Sequence, residues 1–209
     1  MVQRRSFLTA LASLSGVAMT RPAFALPVSD TWDLTWLDHL KGRHKQVFAV
    51  GVLRDHLPLL VIVNYLDAHR EVYGLAYPDI NTVVGIARQG FPINMQDALW
   101  AKYELGRRWE LKDPATGDWA RRNIYFDAMP APPGKVVGVK TLQARGSVFW
   151  QCNNALNAIV RELAADTGQA PEPVRAELIA GLNPGVRLVP AHTMALGLAQ
   201  EHGCTYEQL

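Results

Sequence analysis

Residues 146–164, GSVFWQCNNALNAIVRELA, contain the pattern that decides the fold. The short apolar run at 147–150 predicts a buried strand. Apolar residues then recur at helical spacing, at Ala155, Leu156, Ile159, Val160 and Leu163. Cys152 therefore falls between the carboxyl end of a strand and the start of a helix, where ligands and catalytic groups collect in open α/β sheets. Because the partial positive charge of a helix start favours a thiolate, Cys152 is the leading candidate site residue.

Strands and helices alternate along the rest of the chain. Short apolar runs predict strands at 45–53, 80–87, 147–150 and 186–189. Helical patterns cover 58–74, 94–106, 172–182 and 193–202. Pro58 suits a first turn and Gly74 a helix end, and Asn94 and Gly106 are expected to cap and end the next helix. The alternation predicts an α/β fold, a three-layer sandwich around a mainly parallel sheet of about five strands.

Two segments stand apart from this alternation. The lead-in at 26–44 is amphipathic, with Trp32, Trp36 and Leu37 as its apolar residues. Segment 107–135, inside the domain at 45–209, carries paired charges, turn residues and four prolines. This composition is compatible with an excursion on the surface and with a lid over the site, and it favours neither.

Residues 1–25 have the features of an export signal. In the run QRRSFL at 3–8, Arg4 and Arg5 precede a polar residue and then Phe-Leu, as in the twin-arginine (Tat) motif. The weakly apolar stretch that follows has about a dozen residues, too few to cross the roughly 30 Å core of a bilayer. Small residues at 23 and 25 predict cleavage after Ala25. We therefore expect the Tat export machinery as a partner and a soluble periplasmic mature protein.

The composition excludes several classes of function. The chain has 209 residues, of which 49% are hydrophobic and 19% are charged, as in ordinary globular domains. Its formal net charge of +2 includes three leader arginines, and no long basic run supports nucleic-acid binding. No nucleotide-binding, zinc-protease or serine-hydrolase motif is present, and two cysteines fit no zinc pattern. We therefore predict no cofactor and no metal.

The second half of the chain offers partners for Cys152. His192 follows the last predicted strand, so it should reach the same sheet edge, where it either pairs with the thiol or begins a helix and faces water. His44 precedes the first strand and should lie at the opposite edge. Cys204 follows a helix of about ten residues, roughly 15 Å long, which is too far for a disulfide with Cys152. Cys152 is either a reactive thiol or an inert buried one, and its polar neighbours, Asn153 among them, favour the reactive state.

The same stretches resemble a known protein family. A strand leads to Cys-Asn-x-Ala at 152–155, and the tail contains NPGVRLVP at 183–190, Ala-Leu at 195–196 and QEHG at 200–203. This pattern resembles the DsrE/DsrF-like family over about 146–206, and more loosely over 45–104. The resemblance implies a compact α/β sandwich that assembles as a homo-oligomer, a trimer or a hexamer. In members that relay sulfur a cysteine carries a persulfide, and by position that cysteine is Cys152.

Two hypotheses of function follow. In the first, the chain is an exported sulfur-handling protein, a sulfurtransferase or sulfur carrier, in which Cys152 takes sulfane sulfur from a donor protein and passes it to an acceptor. Asn153, Asn154 and His192 would support the thiolate. In the second, the chain is a non-catalytic oligomeric periplasmic protein that binds a small ligand, with segment 107–135 over the ligand.

Overall fold

The computed structural model describes residues 32–53, 56–129 and 131–209. The predicted twin-arginine pair, Arg4 and Arg5, and the predicted cleavage point after Ala25 lie outside these residues. Within them, no helix is long and apolar enough to span a membrane.

The centre of the fold is a five-stranded sheet in which all pairs are parallel. The strands are β1 (His44–Val50), β2 (Ile80–Ile86), β3 (Val148–Cys152), β4 (Arg187–Val189) and β5 (Thr205–Gln208), in the spatial order β4-β3-β2-β1-β5. The predicted parallel α/β sheet is confirmed. β5 was not among the predicted strands, because its four residues, TYEQ, are all exposed and carry no apolar run.

Helices cover both faces of the sheet. They are α1 (Leu57–Tyr73), α2 (Asp97–Lys102), α3 (Leu105–Arg108), α4 (Val139–Ala144), α5 (Asn153–Thr167), α6 (Pro171–Ala180) and α7 (His192–Glu201), with short 3-10 helices at Thr35–His39 and Phe91–Asn94. Because successive strand residues point to opposite faces, Phe48 and Phe149 join the large cluster under α1 and α5, whereas Val47 and Trp150 join a smaller cluster under α7. The three-layer sandwich is therefore confirmed, with one thick and one thin outer layer.

Helix α1 follows its sequence signals closely. Pro58 lies in the first turn, where its missing N–H costs no helical hydrogen bond. Gly74 adopts a left-handed conformation with φ of 68°, and its N–H donates to the carbonyl of Arg70. The predicted start and end of this helix are both confirmed.

The prediction for the next helix is wrong in two places. Asn94 does not cap a helix. It belongs to a 3-10 helix and is fully buried, and its side-chain amide donates to the carbonyl of Trp150 at 3.1 Å. Gly106 does not end a helix either, since α2 ends earlier and Gly106 lies within α3. A Cβ at Gly106 would come within 2.2 Å of the carbonyl oxygen of Ala120, so close backbone packing explains this glycine.

Several apolar side chains of segment 107–135 pack into the core of the domain, although most of its described residues are exposed. Its apolar side chains Leu111, Ala120, Tyr125 and Met129 belong to the large core cluster. Asn123, 5% exposed, donates from Nδ2 to the carbonyl oxygens of Ile93 at 2.9 Å and Met95 at 2.7 Å. Its Oδ1 accepts from the N–H of Tyr125 at 2.8 Å. Asn123 thus holds the segment against the 3-10 helix Phe91–Asn94.

We predict that Asn123→Ala lowers the free energy of unfolding by about 3 kcal/mol, because it leaves buried carbonyl and N–H groups without partners. Urea unfolding followed by circular dichroism measures the loss. Asp118→Ala, at an exposed position of the same segment, is the matched control and should change stability by less than about 0.5 kcal/mol. Equal effects of the two substitutions would contradict the role given to Asn123.

Candidate functional site

The helices that follow two neighbouring strands pack on opposite faces of the sheet. From the end of β3 the chain enters α5, which packs on the large cluster, and from the end of β4 it enters α7, which packs on the small one. Since β3 and β4 are adjacent and parallel, their two connections diverge and leave a crevice outside the strand ends. Cys152 ends β3 and is paired with Val189, the last residue of β4. Cys152 therefore lies at the topological switch point of the sheet.

The sulfur of Cys152 accepts hydrogen bonds from two helix starts. At the beginning of α5, where Cys152 is the N-cap residue, the N–H of Ala155 donates to Sγ at 3.5 Å. At the beginning of α7, the N–H of His192 donates to Sγ at 3.3 Å. Both N–H groups carry the positive partial charge of a helix N-terminus, and both point at the same sulfur atom. Only 5% of the residue is exposed.

His192 reaches Cys152, but through its backbone and not through its ring. His192 begins α7, and the residue is half-buried. Its Nδ1 accepts a hydrogen bond from the indole Nε1 of Trp150 at 3.2 Å. Burial lowers the pKa of His192, which keeps the ring neutral at neutral pH. The structure therefore gives the thiol a backbone donor rather than an imidazolium partner.

Gly85, in the middle of β2, is part of this arrangement and was not singled out by the sequence patterns. A Cβ at this position would lie 2.6 Å from a ring atom of Trp150 and 2.9 Å from Cε1 of His192. The glycine therefore lets both rings pack directly over the strand. A glycine inside an apolar strand signals a close approach of this kind, although it does not identify the partner.

The two asparagines after Cys152 do not support the thiol with their side chains. Oδ1 of Asn153 accepts from Nη2 of Arg175 at 2.8 Å, and the same guanidinium bonds Asn157, which ties α5 to α6. Asn154 is exposed, and no contact between its side chain and Cys152 is found. The hydrogen bonds to the sulfur come from the backbone of Ala155 and His192.

Cys204 lies at the other edge of the sheet, just before β5. Both cysteines are free, which agrees with the predicted absence of a bridge between them. Burial raises the pKa of the Cys204 thiol to about 11, so this thiol is protonated at neutral pH. His44, as expected, begins β1 at this same amino edge.

Two cavities lie away from the thiol. One of about 500 Å³ opens at the amino ends of β2, β3 and β4, with Trp36, Asn81 and Arg187 in its wall. A smaller one of about 300 Å³ lies against segment 107–135, with Arg107 and Trp119 in its wall. Among the described residues, no three or more His, Cys, Asp or Glu side chains are grouped to hold a metal ion.

Comparison with known proteins adds little to this geometry. No family model matches the chain, and no curated protein matches it. A solved structure, a protein of unknown function called MTH1491 from Methanobacterium thermoautotrophicum, is similar to it. The two share 16% sequence identity, the match covers 79% of this chain and 99% of the other, and the TM-score is 0.43.

The lowered pKa of His192 predicts that the free energy of unfolding decreases as the pH is lowered. The unfolded chain takes up a proton near pH 6.5 while the folded ring stays neutral, so the free energy of unfolding drops as pH falls below about 6.5. His192→Asn keeps an acceptor for Trp150 and removes the titration, so its stability should fall less over this range. Urea unfolding between pH 7.5 and about 5 measures both slopes.

The matched control is His202→Asn, at an exposed histidine beyond the end of α7. This variant should keep the slope of the original protein. If His192→Asn and the original protein lose stability in parallel as pH falls, the ring of His192 is not the group that resists protonation.

Proposed function

We propose that this protein is an exported sulfur carrier in which Cys152 holds sulfane sulfur as a persulfide. The observation that carries the proposal is the pair of N–H groups, from Ala155 and His192, that donate to one sulfur atom from two different helices. Such donors stabilise a thiolate, and a thiolate is the nucleophile in sulfur exchange. The resemblance to the DsrE/DsrF-like family supports the same cysteine.

The transfer step follows from thiolate chemistry. The thiolate of Cys152 attacks the terminal sulfur of a persulfide donor, a new Sγ–S bond forms, and the S–S bond of the donor breaks. The donor leaves as a thiolate, and solvent supplies its proton. Sulfane sulfur changes carrier without net oxidation or reduction, so the step needs no cofactor. Attack by an acceptor thiolate on the outer sulfur of the Cys152 persulfide completes the relay.

The surroundings of Cys152 limit what can reach it. With 5% of the residue exposed, an incoming sulfur arrives along the crevice between the starts of α5 and α7. The same two helix starts face the outer sulfur of a persulfide, whose negative charge they also favour. A small donor molecule, or a narrow segment of a donor protein, fits this approach better than a broad surface.

The leader and the family resemblance complete the proposal. Arg4, Arg5 and the small residues ending at Ala25 support Tat export and a periplasmic location. The resemblance supports a homo-oligomer, a trimer or a hexamer. The alternative function, a non-catalytic periplasmic binding protein, uses no reactive thiol. The reactivity of Cys152 therefore distinguishes the two functions.

The test is the intact mass of the protein purified from the periplasm and exposed to inorganic polysulfide at neutral pH. We expect the mass to increase by one sulfur atom, which dithiothreitol removes. Before exposure, the mass should correspond to a chain that begins after Ala25. Cys152→Ser should abolish the gain. Cys204→Ser should retain it in full, because the raised pKa of Cys204 keeps that thiol protonated.

Alkylation by iodoacetamide gives a second readout of the same thiol. Folded protein should react at Cys152 at least about tenfold faster than at Cys204, as resolved by peptide mapping. A folded protein in which Cys152 resists both polysulfide and iodoacetamide would exclude the sulfur function and leave the binding function in place.

A further inference from the structure

The cavity of about 500 Å³ lies at the sheet edge opposite Cys152. Its walls come from the amino ends of β2, β3 and β4 and from the 3-10 helix Thr35–His39. Its volume falls within the range of small-molecule sites, about 300 to 1,000 Å³. None of its wall residues contributes to the thiol site, so its role is independent of the proposed sulfur chemistry.

Asn81 contributes a side-chain donor to the cavity wall. Only 2% of the residue is exposed, and its Oδ1 accepts from the N–H of Gly42 at 2.6 Å, which fixes the orientation of the amide. The opposite end of the amide, Nδ2, has no hydrogen-bond partner among the described residues. Nδ2 is therefore free to donate to an acceptor that enters the cavity.

Trp36 adds a second unsatisfied donor to the same wall. It is 1% exposed, and its indole Nε1 is buried without an acceptor among the described residues. Its ring is held against Trp150 with a centroid distance of 5.2 Å. Trp36 therefore gives the wall a buried aromatic ring in a fixed position.

Arg187, at the start of β4, supplies the positive charge of the wall. Its Nη1 donates to Oδ2 of Asp33 at 2.7 Å, and its side chain is 44% exposed, so its remaining donors are available. Among the described residues, the cavity wall contains no acidic side chain, whereas apolar residues such as Leu40, Val148 and Pro184 line it. An anion with an apolar body matches this combination, and the planar fork of arginine suits a carboxylate.

We propose that this cavity binds a small carboxylic acid that carries an apolar ring. The carboxylate accepts from Asn81 Nδ2 and from the guanidinium of Arg187, and the ring packs against Trp36 and Leu40. Asp33 lowers the affinity for the carboxylate, because it neutralises part of the charge of Arg187.

The test is a titration of ¹⁵N-labelled protein with phenylacetate, followed by heteronuclear NMR, with phenylacetamide as the uncharged isostere. Phenylacetate should shift the side-chain signals of Asn81 and Trp36 and bind at least about tenfold more tightly than phenylacetamide. Cys152→Ser should bind phenylacetate unchanged, so failure of the sulfur function leaves this site intact.

Three substitutions separate the roles of the wall residues. Asn81→Asp keeps an oxygen for the N–H of Gly42 but replaces the free donor with negative charge, so it should abolish binding. Arg187→Gln should weaken the binding of phenylacetate by about tenfold without changing that of phenylacetamide. Asp33→Asn should tighten the binding of phenylacetate, and Arg70→Gln, at an exposed arginine on α1, should change nothing.

Several results would overturn the proposal. One is that the NMR signals of the wall residues do not shift at any concentration of phenylacetate. Another is that phenylacetate and phenylacetamide bind with equal affinity. A third is that Asp33→Asn weakens the binding of phenylacetate or that Arg187→Gln tightens it. The dispersion of the NMR spectrum reports whether each variant is folded. If Asn81→Asp unfolds the chain, the pair Asp33→Asn and Arg187→Gln still decides the outcome.

Discussion

The parallel pairing of β3 with β4 is the constraint on which the rest of the structure depends. Parallel neighbours cannot be joined by a tight turn, so the chain must cross back over the sheet between them. The connection after β3 covers one face with α5 and α6, and the connection after β4 covers the other face with α7. Both helix starts consequently meet beside Cys152, and the two donors to its sulfur are a result of topology.

Trp150 links the two edges of the sheet. Its ring is fully buried in the thin layer, where it packs against Trp36, a wall residue of the amino-edge cavity. Its indole N–H bonds the ring of His192, whose backbone holds the thiol. The close approach of both rings to β2 depends on Gly85. A change in the packing of this one side chain would therefore reach both the cavity and the thiol.

The parts of the structure that follow from local pattern could be predicted from the sequence. The apolar β-branched run of β2 and the Pro58 and Gly74 boundaries of α1 are local signals, and strand-to-helix order was enough to bring Cys152 and His192 to one edge. The parts that depend on distant residues could not be predicted in this way. The exposed strand β5 is held by pairing with β1, and the cavity is assembled from the amino ends of three strands.

The two cysteines are similarly buried but lie at opposite ends of α7. Cys152 is 5% exposed and Cys204 is 6% exposed, so the loss of solvent is nearly equal. They lie at opposite ends of α7, because the first N–H of the helix donates to the sulfur of Cys152, whereas the N–H of Cys204 donates to the carbonyl of Ala199 near the last turn. The helix thus presents its positive end to the sulfur of Cys152, whereas Cys204 follows its carboxyl end. The sulfur of Cys152 receives two N–H donors, whereas burial raises the pKa of Cys204. The direction in which α7 crosses the sheet places the two thiols at its opposite ends.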